Sequence, residues 1–309
     1  MKIVLLCATR RGLRVLQELA RLAPEAELVV FSFREEPWEP PFLEAIRDET
    51  LARGGTFHEA RQVGGAKWKS FWESTPVDLM LAVSWRYLVP PEVYRSARRG
   101  AFVFHDALLP AYRGFAPTVW ALINGETHSG VTLFEIAEGV DEGKIVDQER
   151  VPIGPDESIG VVIERVTETY LQLLERNLER LLTGTAPRRE QDHARATFTC
   201  RRTLEDNLID WRGSTESIFN LIRAASAPYP GAFTSLAGKK LTVWAAQKLA
   251  SPPPYVGRIP GRVIEVRPGL GAVVLTGDGA LLLTRVQSES GQPLVAAEVL
   301  NSLSLTLGR

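Results

Sequence analysis

His105 and Asp141 are the side chains whose surroundings most invite chemistry. His105 closes a short apolar run, Ala101 to Phe104, and is followed by Asp106 and then Leu108-Leu109-Pro110. Ligands of open α/β sheets bind at strand ends, and histidine is the usual proton-transfer group near neutral pH. Asp141 sits in Gly139-Val140-Asp141-Glu142-Gly143, just past a second apolar run, Val131 to Ile136. Each has an ordinary reading, His105 as a buried structural histidine and Asp141 as a turn aspartate. Taken together they can build a site at one edge of a sheet. No GxSxG nucleophile motif accompanies them, and the histidines and cysteines show no zinc spacing. A histidine and a carboxylate without nucleophile or metal suit direct transfer between two bound substrates, with proton transfer and oxyanion stabilisation as the protein's share. Between them the loop LLPAYRGFAP, Leu108 to Pro117, carries Arg113. It is either a structural corner or a pocket rim whose cation positions an anionic substrate. His58, His128 and His193 have no partners at a useful spacing, and packing or surface roles fit them.

The elements that must hold these residues can be read from periodicity. Lys2 to Ala8 is a near-continuous apolar run, as expected of a strand buried on both faces. Leu13 to Leu22 has helical spacing, and Glu27 to Phe33 is a second strand. Such a strand–helix–strand unit predicts a parallel sheet with right-handed crossovers. A helix over Phe42 to Arg53, a short strand over Thr56 to Glu59, a helical turn over Lys67 to Ser74 and a buried strand over Asp78 to Val83 follow. Pro90 to Ser96 opens a helix on proline, and Ala101 to Phe104 is the next strand. Ser129 to Ala137 and Lys144 to Val151 predict an antiparallel extension of the sheet. Ser158 to Leu182 is the clearest helix, stopped by Gly184. Gly184 to Thr203 is polar, basic and interrupted by Pro187. Beyond it one helix, Ser217 to Ala225, precedes short β-type runs at Ala232 to Ser235, Leu241 to Ala246, Gly261 to Val266, Ala272 to Thr276 and Ala280 to Val286. Many short strands with glycine turns predict a small barrel, closed by a helix over Leu294 to Leu300. The fold expected is therefore α/β: a Rossmann-like, mostly parallel sheet over residues 1–184, a linker over 185–205, and a small OB-like β-barrel over 206–309.

Composition narrows the partners. With 36 basic and 37 acidic residues, the formal charge of -1 gives no overall attraction to nucleic acid or to an anionic membrane. The densest basic cluster, Arg188, Arg189, Arg195, Arg201 and Arg202, reads as a solvated linker. Cys7 and Cys200 are far apart, which fits a reducing cytoplasm better than a disulfide scaffold. No stretch approaches the ~20 apolar residues of a spanning helix. The turn after the first strand, Ala8 to Gly12, matches neither GxGxxG nor GxxxxGK[ST], so a dinucleotide or P-loop site is not indicated.

Three segments, HDALLPAYRGFAP, NGETHSGVTLFEI and GVDEGKIV, together resemble the formyltransferase family that uses 10-formyltetrahydrofolate, whose members act on methionyl-tRNA, glycinamide ribonucleotide or amino sugars. The likeness is nearest to the domain that formylates UDP-4-amino-4-deoxy-L-arabinose. The later run NLIDWRGSTESIFNLIRAASAPYPGAFTSLAGKKLTVW is similar to that enzyme and to the C-terminal domain of the tRNA enzymes, so nearly the whole chain is covered. The resemblance implies formyl transfer to an amine, with 10-formyltetrahydrofolate as donor and no metal. It places the family's catalytic histidine on His105 and its aspartate on Asp141. Pterin contacts fall on Trp85, Arg86, Tyr87, Leu88 and Val89 and on Ala137, Glu138, Gly139 and Val140. Arg113 and Gly114 become candidate substrate contacts. The family's asparagine, two residues before the histidine, falls on Val103, and the serine of HxSLLP is Ala107. Residues two apart on a strand face one side, so Val103 stands beside His105, and valine donates no hydrogen bond. Loss of one oxyanion donor costs about 10²–10³ in rate. Three readings stay open: a slow transferase, one whose donor comes from Asn124 or the substrate, or a folate- or sugar-nucleotide-binding relative with altered or lost chemistry. The segment Arg34 to Asp48 carries Glu35, Glu36, Glu39, Glu44 and Asp48, which would repel a phosphate backbone. A small amine, foremost a nucleotide-linked amino sugar, is therefore preferred to methionyl-tRNA. A homodimer is allowed by everything above.

Overall fold

The strand β1 (Lys2–Cys7) is fully buried from Ile3 onward. A strand can be apolar along its whole length only where both faces of its sheet are covered. The computed structural model describes residues 1–289 and 291–309. They divide into two units: 1–117, 129–151 and 164–200 form the first, and 118–128, 152–163 and 201–309 the second.

In the first unit β1 is followed by α1 (Thr9–Leu22), β2 (Glu27–Ser32), α2 (Leu43–Ala52), β3 (Thr56–Glu59), α3 (Ala66–Ser74), β4 (Leu79–Val83), α4 (Pro91–Tyr94) and β5 (Ala101–His105). A two-residue strand β6 (Arg113–Gly114), α5 (Pro117–Ile123), β7 (His128–Glu135), β8 (Ile145–Pro152), the long helix α6 (Ile159–Thr183) and β9 (Phe198–Thr199) complete the sequence to Cys200, with α5 from Thr118 onward and the start of α6 belonging to the second unit. The main sheet runs β3-β2-β1-β4-β5-β7-β8. Strands β1 to β5 pair in parallel, and β7 runs antiparallel to β5, with His105 opposite Thr132 and Val103 opposite Phe134. The chain order reverses between β1 and β4, and their carboxyl ends, with that of β5, form the edge where ligands of such sheets bind. One face is packed by Val4, Leu6, Phe31, Met80, Ala82, Trp68, Trp72 and Val93.

Three expectations change. The helix α1 begins at Thr9, inside the segment read as a turn, because Ala8 already accepts the Gly12 N–H at 3.0 Å. The basic stretch expected to link two domains carries structure of its own: Arg189 bridges to Ile145, and β9 pairs in parallel with β6. The helix expected over Leu294 to Leu300 is shorter, since Leu294 and Val295 instead pair with Val286 and Arg285.

The second unit contains α7 (Thr215–Ala225), whose N-terminus is capped by Ser214 accepting the Ser217 N–H. Its strands are β10 (Ala232–Leu236), β11 (Lys239–Lys248), β12 (Val263–Arg267), β13 (Gly271–Leu275), β14 (Ala280–Ser288) and β15 (Leu294–Val295), followed by α8 (Ala296–Val299). They form an antiparallel sheet in the order β10-β11-β14-β13-β12, with β15 on β14. Trp211, Ile218, Phe219 and Ile222 pack with Val243, Val274, Leu281 and Leu283 in its core. Among the described residues, no helix is long and apolar enough to cross a membrane.

Candidate active site

His105 ends β5 and is 8 % exposed. Its Nε2 lies 2.8 Å from the Tyr112 carbonyl oxygen. A carbonyl can only accept, so Nε2 carries the proton. Its Nδ1 faces Asp141 Oδ2 at 3.6 Å, beyond hydrogen-bond reach. The fold therefore brings the two candidate catalytic residues together and leaves Nδ1 as the nitrogen available for proton transfer.

Asp141 is reached by a turn whose backbone is specialised. Its own φ is +49°, in the left-handed region that aspartate tolerates better than most residues. At Gly143 a Cβ would collide with the Glu135 carbonyl, so only glycine lets the turn fold back there. Asp141 Oδ2 accepts the Gly114 N–H at 2.7 Å. Gly114 has φ +105°, and a Cβ on it would stand 2.6 Å from the Thr199 carbonyl oxygen. Gly114 thus meets the site through its backbone.

Arg113 is not at a rim. Its side chain is 4 % exposed and donates to Gln191 Oε1 from Nε (3.2 Å) and Nη2 (2.7 Å), with Nη2 also 3.0 Å from His193 Nδ1. Burial and these bonds take its charge away from any external anion.

Of the residues expected to meet a pterin, Trp85 and Val89 join an apolar cluster, which Val103 and Ile136, the neighbour of Ala137, also touch. Trp85, Tyr87 and Phe33 meet edge-on, at 5.4 Å for Phe33–Trp85 and 4.9 Å for Phe33–Tyr87. Among the described residues, Trp85 Nε1 is buried without an acceptor. Leu88 is 88 % and Val140 52 % exposed, while Ala137 is half-buried and Glu138 and Gly139 are exposed. Arg86 forms a two-pronged ion pair with Glu39, which ties this loop to the acidic segment after β2.

Val103 lies between Ala82 of β4 and Phe134 of β7, and also packs against Leu109, Phe134 and Ile145. Asn124, at the end of α5, belongs to the second unit.

Sequence reasoning missed several contributors. On the opposite face of β5, Asp106 accepts from Arg11 at 2.8 Å on both oxygens and from the Tyr170 hydroxyl. Burial pushes the Asp106 carboxyl up, but the Arg11 charge and the bonds from Tyr170 and Arg11 outweigh it and hold it below the ordinary carboxylate value. Tyr170 is raised by burial and by the Asp106 charge. Thr132, opposite His105, donates to the Ala107 carbonyl (2.6 Å) and accepts the Leu109 N–H (3.1 Å), fixing the exit from β5. Gln191 donates to the carbonyls of Asp141 (2.8 Å) and Gly143 (2.7 Å). Tyr112 contributes a backbone atom, to which no residue letter corresponds, and Gln191 is 50 positions from Asp141. Among the described residues, no group of three His, Cys, Asp or Glu side chains is placed to hold a metal ion.

Known proteins share this architecture. An N-formyltransferase from Helicobacter canadensis, solved with folinic acid and dTDP-3-aminofucose, is 16% identical with a TM-score of 0.68, over 95% of this chain and 100% of its own. A 4-N formyltransferase from Francisella tularensis is 18% identical with a TM-score of 0.59, over 75% of this chain and 91% of its own. HypX from Aquifex aeolicus, solved with tetrahydrofolic acid, is 21% identical with a TM-score of 0.62, over 97% of this chain. Only 47% of HypX is matched, so this chain spans about half its length. At such identities the likeness is one of fold. Residues 18–178 match the formyl transferase family and residues 202–304 match the formyl transferase C-terminal domain. With the two matches covering most of the sequence, the chain belongs to the formyl transferase family.

Proposed function

We propose that this protein transfers a formyl group from 10-formyltetrahydrofolate to the amine of a small substrate, a nucleotide-linked amino sugar. The observation that carries the reading is the His105–Asp141 pair, with a proton on Nε2 toward Tyr112 and Nδ1 open beside a carboxylate at 3.6 Å. As the amine nitrogen bonds to the formyl carbon, negative charge gathers on the formyl oxygen and positive charge on the amine. His105 Nδ1 takes the amine proton, with the Asp141 carboxylate beside it. The imidazolium stands as donor toward the oxyanion. When the bond from the formyl carbon to the folate nitrogen breaks, His105 returns the proton to that nitrogen.

The loops after β4 and before Asp141 fit the folate. The Trp85 indole N–H is a buried donor without a partner among the described residues, a costly state that a bound acceptor would relieve. Exposed Leu88 and Val140 offer apolar contact for a flat ring. Arg86, paired with Glu39, holds its loop. Support for a sugar nucleotide comes from the Helicobacter canadensis neighbour, solved with dTDP-3-aminofucose, while the acidic segment after β2 disfavours a polyanionic acceptor. A second reading, folate or sugar-nucleotide binding without turnover, is favoured by the apolar packing of Val103 where the family resemblance calls for asparagine.

The two separate on incubating the protein with 10-formyltetrahydrofolate and a panel of amines. Release of tetrahydrofolate with a nucleotide-linked amino sugar is the expected result, and His105→Ala should abolish it. Tight folate binding without release for any amine would leave the binding reading standing, and transfer retained in His105→Ala would refute the assignment of His105.

A further inference from the structure

The contacts around Asp141 close into a ring. His105 Nε2–H is held by the Tyr112 carbonyl, and the next N–H but one, that of Gly114, holds Asp141 Oδ2 at 2.7 Å. Between them Arg113 is pinned by its backbone. Its N–H donates to the Thr197 carbonyl at 2.8 Å, and its carbonyl accepts from Thr199 Oγ1 at 3.0 Å. The Arg113 guanidinium then grips Gln191, whose amide in turn grips the carbonyls of Asp141 and Gly143. Gln191 is 5 % exposed, and the described bonds occupy both ends of its amide.

From this geometry we infer that Gln191 and Arg113 are positioning residues that set the distance between His105 and Asp141, an inference that rests on the role proposed above for that pair. Neither side chain is disposed to meet substrate, since both are buried and bonded to each other. The Asp141 backbone is in a left-handed conformation, which a non-glycine residue holds where its surroundings enforce it. The bond from Gln191 to the Asp141 carbonyl supplies that enforcement. Without its N–H donor, two carbonyls lose their partner and the turn can relax toward ordinary backbone, carrying the carboxylate away from Nδ1. The stretch after α6 is thus part of the catalytic apparatus rather than a tether.

The test uses the full chain labelled with ¹⁵N. The imidazole nitrogens of His105 are assigned by their loss in His105→Gln, in a spectrum containing four histidines. Gln191→Glu keeps the acceptor for Arg113 and removes the donor to the two carbonyls. It should shift both His105 nitrogen signals while those of His58 and His128 stay in place. It should also lower kcat for formyl transfer about 10²-fold, as misplacement by about 1 Å does, with the KM for the donor unchanged. Arg113→Lys, which loses the forked grip on Gln191, should move the same signals. The double variant should be no slower than Gln191→Glu alone. If the carboxylate prevents folding, Gln191→Asn is read in its place. His105 signals unmoved in the folded variants, or kcat unchanged, would overturn the inference. A wild-type protein that transfers nothing, yet whose His105 signals still move in Gln191→Glu, would refute the proposed reaction and leave the brace standing.

Discussion

At the scale of single residues, the proposed reaction is tested at position 103. Val103 shares a strand face with His105 but offers no donor to the oxyanion. Val103→Asn should raise kcat by about 10²–10³ if the missing donor limits the reaction. The amide enters an apolar setting, so a loss of about 1–3 kcal/mol in stability is the expected counterpart where it finds no partner. Single-turnover transfer with matched melting curves would measure both, and a kcat that falls in folded Val103→Asn would show a site rebuilt around valine. What sequence alone could reach at this scale was decided by which atoms have letters. His105 and Asp141 announce themselves through side-chain type and flanking glycines or apolar runs. The Tyr112 carbonyl and the Gly114 N–H do the same electrostatic work and are invisible, because any residue carries those atoms. Arg113 was legible as a cation but not as a buried one, since its partner Gln191 lies in another part of the chain.

At the scale of elements, the end of β5 is fixed from both faces, His105 toward Tyr112 and Asp106 toward α1 and α6. The Arg11 and Asp106 side chains are only 12 % and 18 % exposed, so the pair is well shielded from solvent. Removing one partner of such a pair leaves a buried charge and costs about 3 kcal/mol or more. Asp106→Asn should therefore be less stable than the parent at pH 7. The folded-state carboxyl is held below its unfolded value, so its contribution is complete above the unfolded pKa and fades as pH falls through the folded one. Denaturant unfolding followed from pH 7 into the acid range should show stability dropping less steeply in Asp106→Asn than in the parent. Parallel curves would remove Asp106 from the list of groups that secure β5. The strands and long helices behind this arrangement were readable because their apolar period is strong, β1 and α6 above all. Short elements were not: β6 and β9 are two residues each and exist by pairing with one another across the chain. For the same reason a basic, proline-broken stretch read as a linker although it braces Asp141.

At the scale of the whole molecule, charge is the property through which the proposed acceptor is tested. Thirty-six basic side chains are met by 37 acidic ones, and the segment after β2 is acidic, with Glu39 already neutralising Arg86. A polymer acceptor would need phosphates neutralised by free cations, and making 6–10 such contacts costs about 10³–10⁵ in affinity between 50 and 200 mM salt. A nucleotide-linked amino sugar carries two phosphates and releases no condensed counterion atmosphere, so its binding should weaken only a few-fold over that range. The KM for the accepted amine, measured at fixed saturating donor across 50 to 200 mM salt, should therefore be nearly flat, and methionyl-tRNA should neither be formylated nor compete. A KM that climbs by orders of magnitude, with competition by tRNA, would transfer the acceptor assignment to the polymer.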